Sequence, residues 1–111
     1  APPLVLFMLD PDAPTPDNPN RITILHALQS SLVPSEENPL QLTANAPPVT
    51  PYRGPGPPAG SAPHRYIFLF YEEPLDFQLP EGFNATQRAG FDLASFVAAT
   101  RLGDPVGAVF F

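Results

Sequence analysis

Proline content is the feature that most constrains the fold of this chain. Eighteen of the 111 residues are proline, and they follow no Gly-X-Y period. Because a proline in a helix interior costs about 3 kcal/mol, a mainly helical fold is excluded, and the missing period excludes collagen. Hydrophobic residues make up 43% of the chain, which is enough for a small core. We therefore predict a mainly β protein with long connections stiffened by proline.

Charge and cysteine content narrow the functional classes. Five arginines and no lysine oppose eleven acidic residues, so the net charge is −6. Nucleic-acid binding depends on clustered basic side chains, and the sequence has no such cluster, so we expect no nucleic-acid partner. The absence of cysteine excludes disulfides and cysteine-ligated zinc. We predict neither a metal nor a cofactor.

Targeting signals leave the compartment open. No apolar run reaches the length of a transmembrane helix, so none is predicted. Residues 1–9 lack the basic start of a signal peptide. Asn84-Ala85-Thr86 matches a glycosylation acceptor, although this short pattern also arises by chance. Cytoplasmic and secreted locations both stay open.

An acidic corner follows the first predicted strand. Residues 4–9 form an apolar run, and Asp10-Pro11-Asp12-Ala13-Pro14 comes directly after it. Because proline fixes φ and has no backbone N–H, we predict that a buried strand ends at Asp10. The two carboxylates then lie on a stiff turn, where they can converge on one ligand. The alternative is an ordinary solvated acidic turn.

Both histidines lie in segments with strand character. Residues 22–33 fit a helical stripe and a strand alternation equally well, and the proline-rich setting favours a strand with His26 among aliphatic residues on one face. Residues 64–71 form the strongest strand pattern, in which His64 and Tyr66 share a face. The alternative for His26 is a core histidine that is hydrogen-bonded to a neighbour.

The remaining segments are connections and two short elements. Nine of residues 34–63 are proline, and the glycines among them let the backbone curl tightly and present N–H groups. Asp92 is a plausible N-cap for a helix over residues 93–102, and Gly103 suits its C-terminal cap. Residues 106–111 are predicted to form a final strand.

Several of these motifs together resemble one known family. They are the acidic corner at Asp10, a histidine sixteen residues later, and Gly54-x-Gly56-Pro57-Pro58-x-Gly60 followed by His64-Arg65-Tyr66. This pattern is similar to the phosphatidylethanolamine-binding protein family, which includes Raf kinase inhibitor protein and the fungal inhibitor of carboxypeptidase Y. Residues 102–111 resemble the end of the family's helix and its following strand. The match is closer to fungal members than to animal ones.

The resemblance implies a fold, a site and an incomplete domain. The implied fold is a large antiparallel sheet packed against a smaller sheet, with short peripheral helices and an anion pocket at one end. The implied ligand-binding residues are Asp10, Asp12, His26, Gly56, Pro57, His64 and Tyr66. Family members carry more strands before the acidic corner and a further C-terminal segment. Residues 1–111 are therefore expected to form a single domain whose sheet is completed by another segment or chain.

Two positions depart from the family pattern. Thr15 follows the acidic corner where the family often has an arginine soon afterwards, and Leu25 precedes the pocket histidine where an aromatic residue or a second histidine is common. Both changes make the implied pocket less cationic.

The resemblance implies a binding function. The chain is expected to bind a phosphorylated or other small anionic ligand, such as a phospholipid head group, and to regulate a protease or kinase partner. The alternative is an isomerase, lyase or cyclase that uses His26, His64, Asp10, Asp12 and Tyr66 as acid–base groups. We favour binding over catalysis, because no hydrolase or phosphate-loop motif is present.

Overall fold

The structure, a computed structural model, describes residues 2–57 and 59–111. Its strands form one antiparallel sheet in the spatial order β3-β2-β1-β4-β5. The elements in chain order are β1 (Leu4–Ala13), β2 (Ile22–Pro34), β3 (Leu42–Ala44), β4 (Ile67–Glu72), α1 (Leu93–Thr100) and β5 (Gly107–Phe110). The predicted mainly β antiparallel fold is confirmed. Within the described residues the strands belong to a single sheet, and a second, smaller sheet is not among them.

β1 is the central strand of the sheet, because another strand pairs with it along each of its two edges. It pairs with β2 from Leu4 opposite Leu32 to Ala13 opposite Ile22. On its other side it pairs with β4 from Leu4 opposite Glu72 to Leu9 opposite Ile67. A strand buried on both faces is typically a continuous apolar run, which is what residues 4–9 are. The strand predicted for residues 22–33 is confirmed by β2.

β1 continues beyond the end predicted for it. The prediction that the strand ends at Asp10 is wrong, since β1 runs through Pro11 to Ala13. Between the pairs Asp10–Ile24 and Ala13–Ile22, β1 advances by three residues and β2 by two. This β-bulge takes Pro11 out of regular pairing, so its missing N–H does not interrupt the ladder. Both acidic residues of the corner therefore lie on a distorted strand end.

β4 is shorter than the strand predicted from residue 64. It begins at Ile67, because the backbone N–H of Arg65 donates to the side chain of Asp12 instead of to a neighbouring strand. Tyr66 still exchanges two backbone hydrogen bonds with Phe111, at 2.9 and 3.0 Å. The stretch that carries His64 is thus diverted from the sheet toward the acidic corner.

The helix begins where it was predicted and ends early. The Asp92 side chain accepts a hydrogen bond from the Ser95 N–H at 3.1 Å, so Asp92 is the N-cap. α1 ends at Thr100, two residues before the predicted end, because Arg101 adopts the left-handed conformation (φ 58°) that was expected at Gly103. Within the described residues, no helix is long and apolar enough to cross a membrane.

The main core lies between the sheet and α1. Phe7 is at its centre, with T-shaped contacts to Tyr71 and Phe96 at ring-centroid distances of 5.5 and 5.4 Å. The buried members of this core are Val5, Phe7, Leu9, Leu25, Leu28, Tyr71, Phe96 and Leu102. A smaller cluster of Met8, Ala27 and Tyr66 occupies the opposite face, and this face leads to the polar residues described below.

β5 lies at one edge of the described sheet. It pairs with β4 from Gly107 opposite Phe70 to Phe110 opposite Ile67. It falls within the predicted range of residues 106–111. Val109, Phe110 and Phe111 are all more than half exposed along this edge.

Candidate functional site

Asp10 is a buried carboxylate with two hydrogen bonds. Its Oδ1 accepts from the backbone N–H of Asp12 at 2.9 Å, and its Oδ2 accepts from Nδ1 of His64 at 2.6 Å. The side chains of Asp10 and His64 are only 4% and 2% exposed. Leu9 pairs with Ile67, so the residues before β4 run alongside the end of β1, where Asp10 follows Leu9. Asp10 therefore orients the His64 ring.

Asp12 is buried beside Asp10 and is bound by arginines. Its Oδ2 accepts from the backbone N–H and from Nε of Arg65, at 2.7 and 3.0 Å, and its Oδ1 accepts from Nη2 at 2.9 Å. Arg21 lies 3.7 Å away. The hydrogen bonds from Arg65 are the main cause of a lowered pKa of Asp12, which burial only partly opposes. Asp12 thus anchors the segment that carries His64.

His26 is positioned by a second β-bulge, in β2. Between the pairs Met8–Ala27 and Leu9–Leu25, β2 advances by two residues and β1 by one, so His26 is the extra residue. Bulges of this kind redirect side chains and are frequent beside active sites. Nδ1 of His26 donates to the backbone carbonyl of Arg53 at 2.7 Å. A carbonyl oxygen only accepts, so this contact fixes the proton on Nδ1.

The bulge also corrects the predicted faces of β2. The sequence alternation placed His26 and Leu28 on one face of the strand. In the structure, Leu28 joins Leu25 in the core against α1, whereas Ala27 joins Met8 on the opposite face. The extra residue shifts the alternation, which is why the prediction of a shared face is wrong.

Tyr66 lies behind both histidine rings. Its ring is edge-on to His26 at 5.5 Å and stacked with His64 at 6.3 Å. Its hydroxyl is fully enclosed and makes no hydrogen bond of acceptable geometry with the described residues. Burial is the main cause of a raised pKa of Tyr66, and the charge of Asp10 adds to it, while the N–H of Gly56 acts in the opposite direction. Among the residues that the structure describes, this hydroxyl has no hydrogen-bond acceptor.

These residues surround a cavity of about 360 Å³. Apolar side chains of the two bulged strands and the glycine-containing loop complete its wall. The lining residues are Asp10, Ala13, Pro14, Ile22, Ile24, His26, Arg53, Gly54, Gly56 and His64. Two further concavities of about 410 and 450 Å³ lie near α1, but neither contains a histidine. Both histidines therefore belong to the smallest of these three cavities.

The predicted site residues divide into three groups. Asp10, His26, Gly56 and His64 line the cavity, while Asp12 and Tyr66 support it from behind. Pro57 is not among the lining residues. Within the described residues, no three histidine or acidic side chains are grouped as metal ligands.

Three residues were missed by the sequence reasoning. Arg53 lines the cavity and holds His26 through its carbonyl, and Ser61 contacts His64. Arg88 donates to the carbonyl of His26 from a distant loop. These contacts depend on the path of a proline-rich loop, which composition does not predict. The only signal in the sequence was that arginines are present to donate hydrogen bonds.

The comparison with known proteins decides the family. The family model described as phosphatidylethanolamine-binding protein matches residues 2–111. This chain belongs to the phosphatidylethanolamine-binding protein family. The resemblance predicted from the acidic corner and the histidine motifs is thereby confirmed. The additional strands expected of a complete phosphatidylethanolamine-binding domain stay a prediction.

Two relatives and one solved structure illustrate the similarity within the phosphatidylethanolamine-binding family. A 66-residue region is 41% identical to phomoidride biosynthesis cluster protein N of Fungal sp., covering 54% of this chain and 30% of that protein. An 85-residue region is 33% identical to the carboxypeptidase Y inhibitor of Saccharomyces cerevisiae, covering 62% of this chain and 37% of that protein. The crystal structure of carboxypeptidase Y inhibitor complexed with the cognate proteinase aligns over 98% of this chain and 58% of that chain, with a TM-score of 0.72 and 24% identity. This last likeness concerns the fold, and the aligned regions span less than two thirds of each of the three proteins.

Proposed function

We propose that the chain binds a small anionic ligand, such as a phosphorylated head group, in the cavity between His26 and His64. The observation that carries the proposal is that both imidazoles and Asp10 line one enclosed space of about 360 Å³. Cavities of this size hold small ligands, which a few polar groups orient among apolar walls. Ile22 and Ile24 supply part of such a wall.

The donors around the cavity are suited to oxygen atoms of a ligand. Arg53, Gly54 and Gly56 line the cavity and carry N–H donors, and the two glycines let the backbone approach a ligand closely. An ammonium group of the ligand would find an acceptor in the Asp10 carboxylate. Phosphoethanolamine combines both charges and is therefore a suitable probe.

The test is an NMR titration of the full chain with phosphoethanolamine and with inorganic phosphate. We expect saturable shifts of the ring protons of both His26 and His64, and no shift when Gly56 is replaced by a residue that fills the cavity, such as Gly56→Leu. Gly107→Ala is the matched control, because Gly107 lies on β5, lines none of the three cavities and has no positive φ, and an added Cβ there makes only ordinary contacts with Phe70. Absence of shifts in the folded wild type would contradict binding. New ligand signals that grow with time would instead favour the enzyme alternative.

Protease inhibition is a second candidate. Its support is the 33% identity to a protein described as carboxypeptidase Y inhibitor over 85 residues. The test is the hydrolysis of a peptide substrate by carboxypeptidase Y with increasing amounts of the chain. We expect saturable inhibition that is lost on heating the chain first. Unchanged hydrolysis at a large molar excess of folded chain would remove this candidate.

A further inference from the structure

His26 presents a hydrogen-bond acceptor to the cavity when it is uncharged. Nδ1 carries the proton, because it lies 2.7 Å from the carbonyl oxygen of Arg53. In a neutral imidazole the other nitrogen, Nε2, then holds a lone pair. Nε2 makes no hydrogen bond with the described residues, and it is not among their fully enclosed unpaired atoms. This acceptor is therefore open to a ligand.

His64 is held in the same tautomer. Its Nδ1 donates to Asp10 at 2.6 Å, which leaves Nε2 3.0 Å from the hydroxyl oxygen of Ser61. That hydroxyl has a single hydrogen, and its oxygen also lies 2.7 Å from the carbonyl of Ala62. In a neutral ring that is protonated on Nδ1, the Nε2 lone pair accepts the Ser61 hydrogen. His64 is thus a second acceptor at the cavity wall, but Ser61 already occupies it.

Asp10 is the third acceptor. Its two hydrogen bonds, from Asp12 and His64, use only half of the roughly four lone-pair positions of a carboxylate. The residues that line the cavity and carry donor groups are Arg53, Gly54 and Gly56. A ligand that satisfies the groups around the cavity must therefore both accept and donate hydrogen bonds.

We propose that the cavity selects oxyacids that still carry a hydrogen, such as hydrogen phosphate and monoanionic phosphate monoesters, over sulfate. This inference rests on the proposed anion-binding function. The P–OH hydrogen is donated to Asp10 or to a histidine Nε2, while the other oxygens accept from the donors. Sulfate has the same shape and charge as hydrogen phosphate but has no hydrogen to donate. It leaves the acceptors unpaired and faces the Asp10 charge directly.

The test compares inorganic phosphate with sulfate by calorimetry on the wild-type chain at matched ionic strength. At about pH 8 we expect phosphate to bind roughly tenfold or more tighter than sulfate, because acceptors that a bound ligand leaves unpaired are costly. Equal affinities at about pH 8 would overturn the selectivity and leave anion binding intact. Binding of neither ion would overturn anion binding itself.

Asp10→Asn provides a sharper test. The asparagine oxygen can still accept from the Asp12 N–H, and its NH₂ then faces Nδ1 of His64, which must become an acceptor. The proton moves to Nε2, which faces Ser61. Because the variant also removes the Asp10 charge and its free acceptor positions from the cavity, we expect sulfate to gain affinity relative to phosphate. Asp104→Asn makes the same chemical change at an exposed carboxyl and should leave the ratio unchanged.

Ring ¹⁵N chemical shifts of the wild type keep the inference testable even where the variant fails to fold. Protonated Nδ1 and unprotonated Nε2 in both histidines at about pH 8 would support it. A protonated Nε2 in both neutral rings would overturn it.

Discussion

Arg88 is the residue whose replacement tests the construction of the site most directly. Its Nη1 donates to the carbonyls of His26 and Leu25 at 2.9 and 3.2 Å, and its Nη2 donates to that of Pro51 at 2.6 Å. These bonds tie the bulge of β2 to the loop that carries Arg53. Arg88→Ala removes all three without changing a residue that lines the cavity.

The expected loss of stability follows from what each carbonyl retains. A hydrogen bond from a charged donor contributes about 1.5–3 kcal/mol, but the carbonyl of His26 also accepts from the Arg53 N–H at 2.9 Å. Pro51 is exposed, so water replaces the guanidinium there. Arg88 is half-buried, and this burial is the main cause of its lowered pKa. We therefore expect Arg88→Ala to lower the free energy of unfolding by about 2–3 kcal/mol in total.

Denaturant unfolding measures this loss, and Arg101→Ala is the matched control. Arg101 pairs with Asp76 at 2.6 Å, but the two side chains are 78% and 62% exposed, and such surface pairs contribute about 0–1 kcal/mol. We expect a lower midpoint at unchanged m-value for Arg88→Ala, together with weaker phosphate binding because His26 is less well held. Equal midpoints for the two variants would refute the argument that Arg88 braces the site.

Three further predictions concern the carboxylate, the core and the tyrosine. Asp12→Asn should destabilise the fold at neutral pH. The difference in unfolding free energy from the wild type should shrink in acid, because Arg65 lowers the pKa of Asp12 in the folded state. The stabilisation by the Asp12 carboxylate is present above the unfolded pKa of about 3.9 and is lost as the pH falls through the lower folded pKa. Chemical unfolding at a series of pH values across that range measures this loss. Leu28→Ala should cost about 2–5 kcal/mol, since Leu28 is fully buried, whereas the exposed Leu75→Ala should change stability by less than about 0.5 kcal/mol; their thermal midpoints provide the comparison. Tyr66→Phe should leave both the midpoint and phosphate binding nearly unchanged, because its hydroxyl is enclosed behind the histidine rings and has no partner among the described residues; denaturant unfolding and calorimetry measure the two quantities.

The architecture could be predicted from the sequence, because its central strands are runs of apolar residues. Residues 4–9 and 67–71 are apolar throughout, which is typical of strands inside a sheet, and they pair as β1 and β4. The helix start was readable from Asp92, whose side chain caps it. The strand and helix ends were less accurate, since Pro11 and Arg101 adopt conformations that depend on their surroundings. Tertiary contacts, not local preferences, decide such ends.

For the site, the sequence predicted which residues take part but not how they contact one another. Asp10, His26 and His64 were identified through the family resemblance, and all three line the cavity. Which aspartate pairs with a histidine could not be predicted, because the sequence allows either Asp10 or Asp12 to reach one. The structure pairs Asp10 with His64 and leaves Asp12 to Arg65, a residue that the sequence reasoning had quoted without a role.

The departures from regular strand geometry explain both the ambiguity of β2 and the existence of the site. Leu25, Leu28 and Leu32 follow a helical stripe, yet they are buried residues of a strand. Two extra residues in β2, one at His26 and one between the pairs Leu6–Gln29 and Leu4–Leu32, change the spacing of the buried positions from two to three or four. In a regular strand His26 would share a face with Leu28, which is packed against α1. The bulge that hides the strand pattern in the sequence is therefore the same feature that turns His26 toward the cavity.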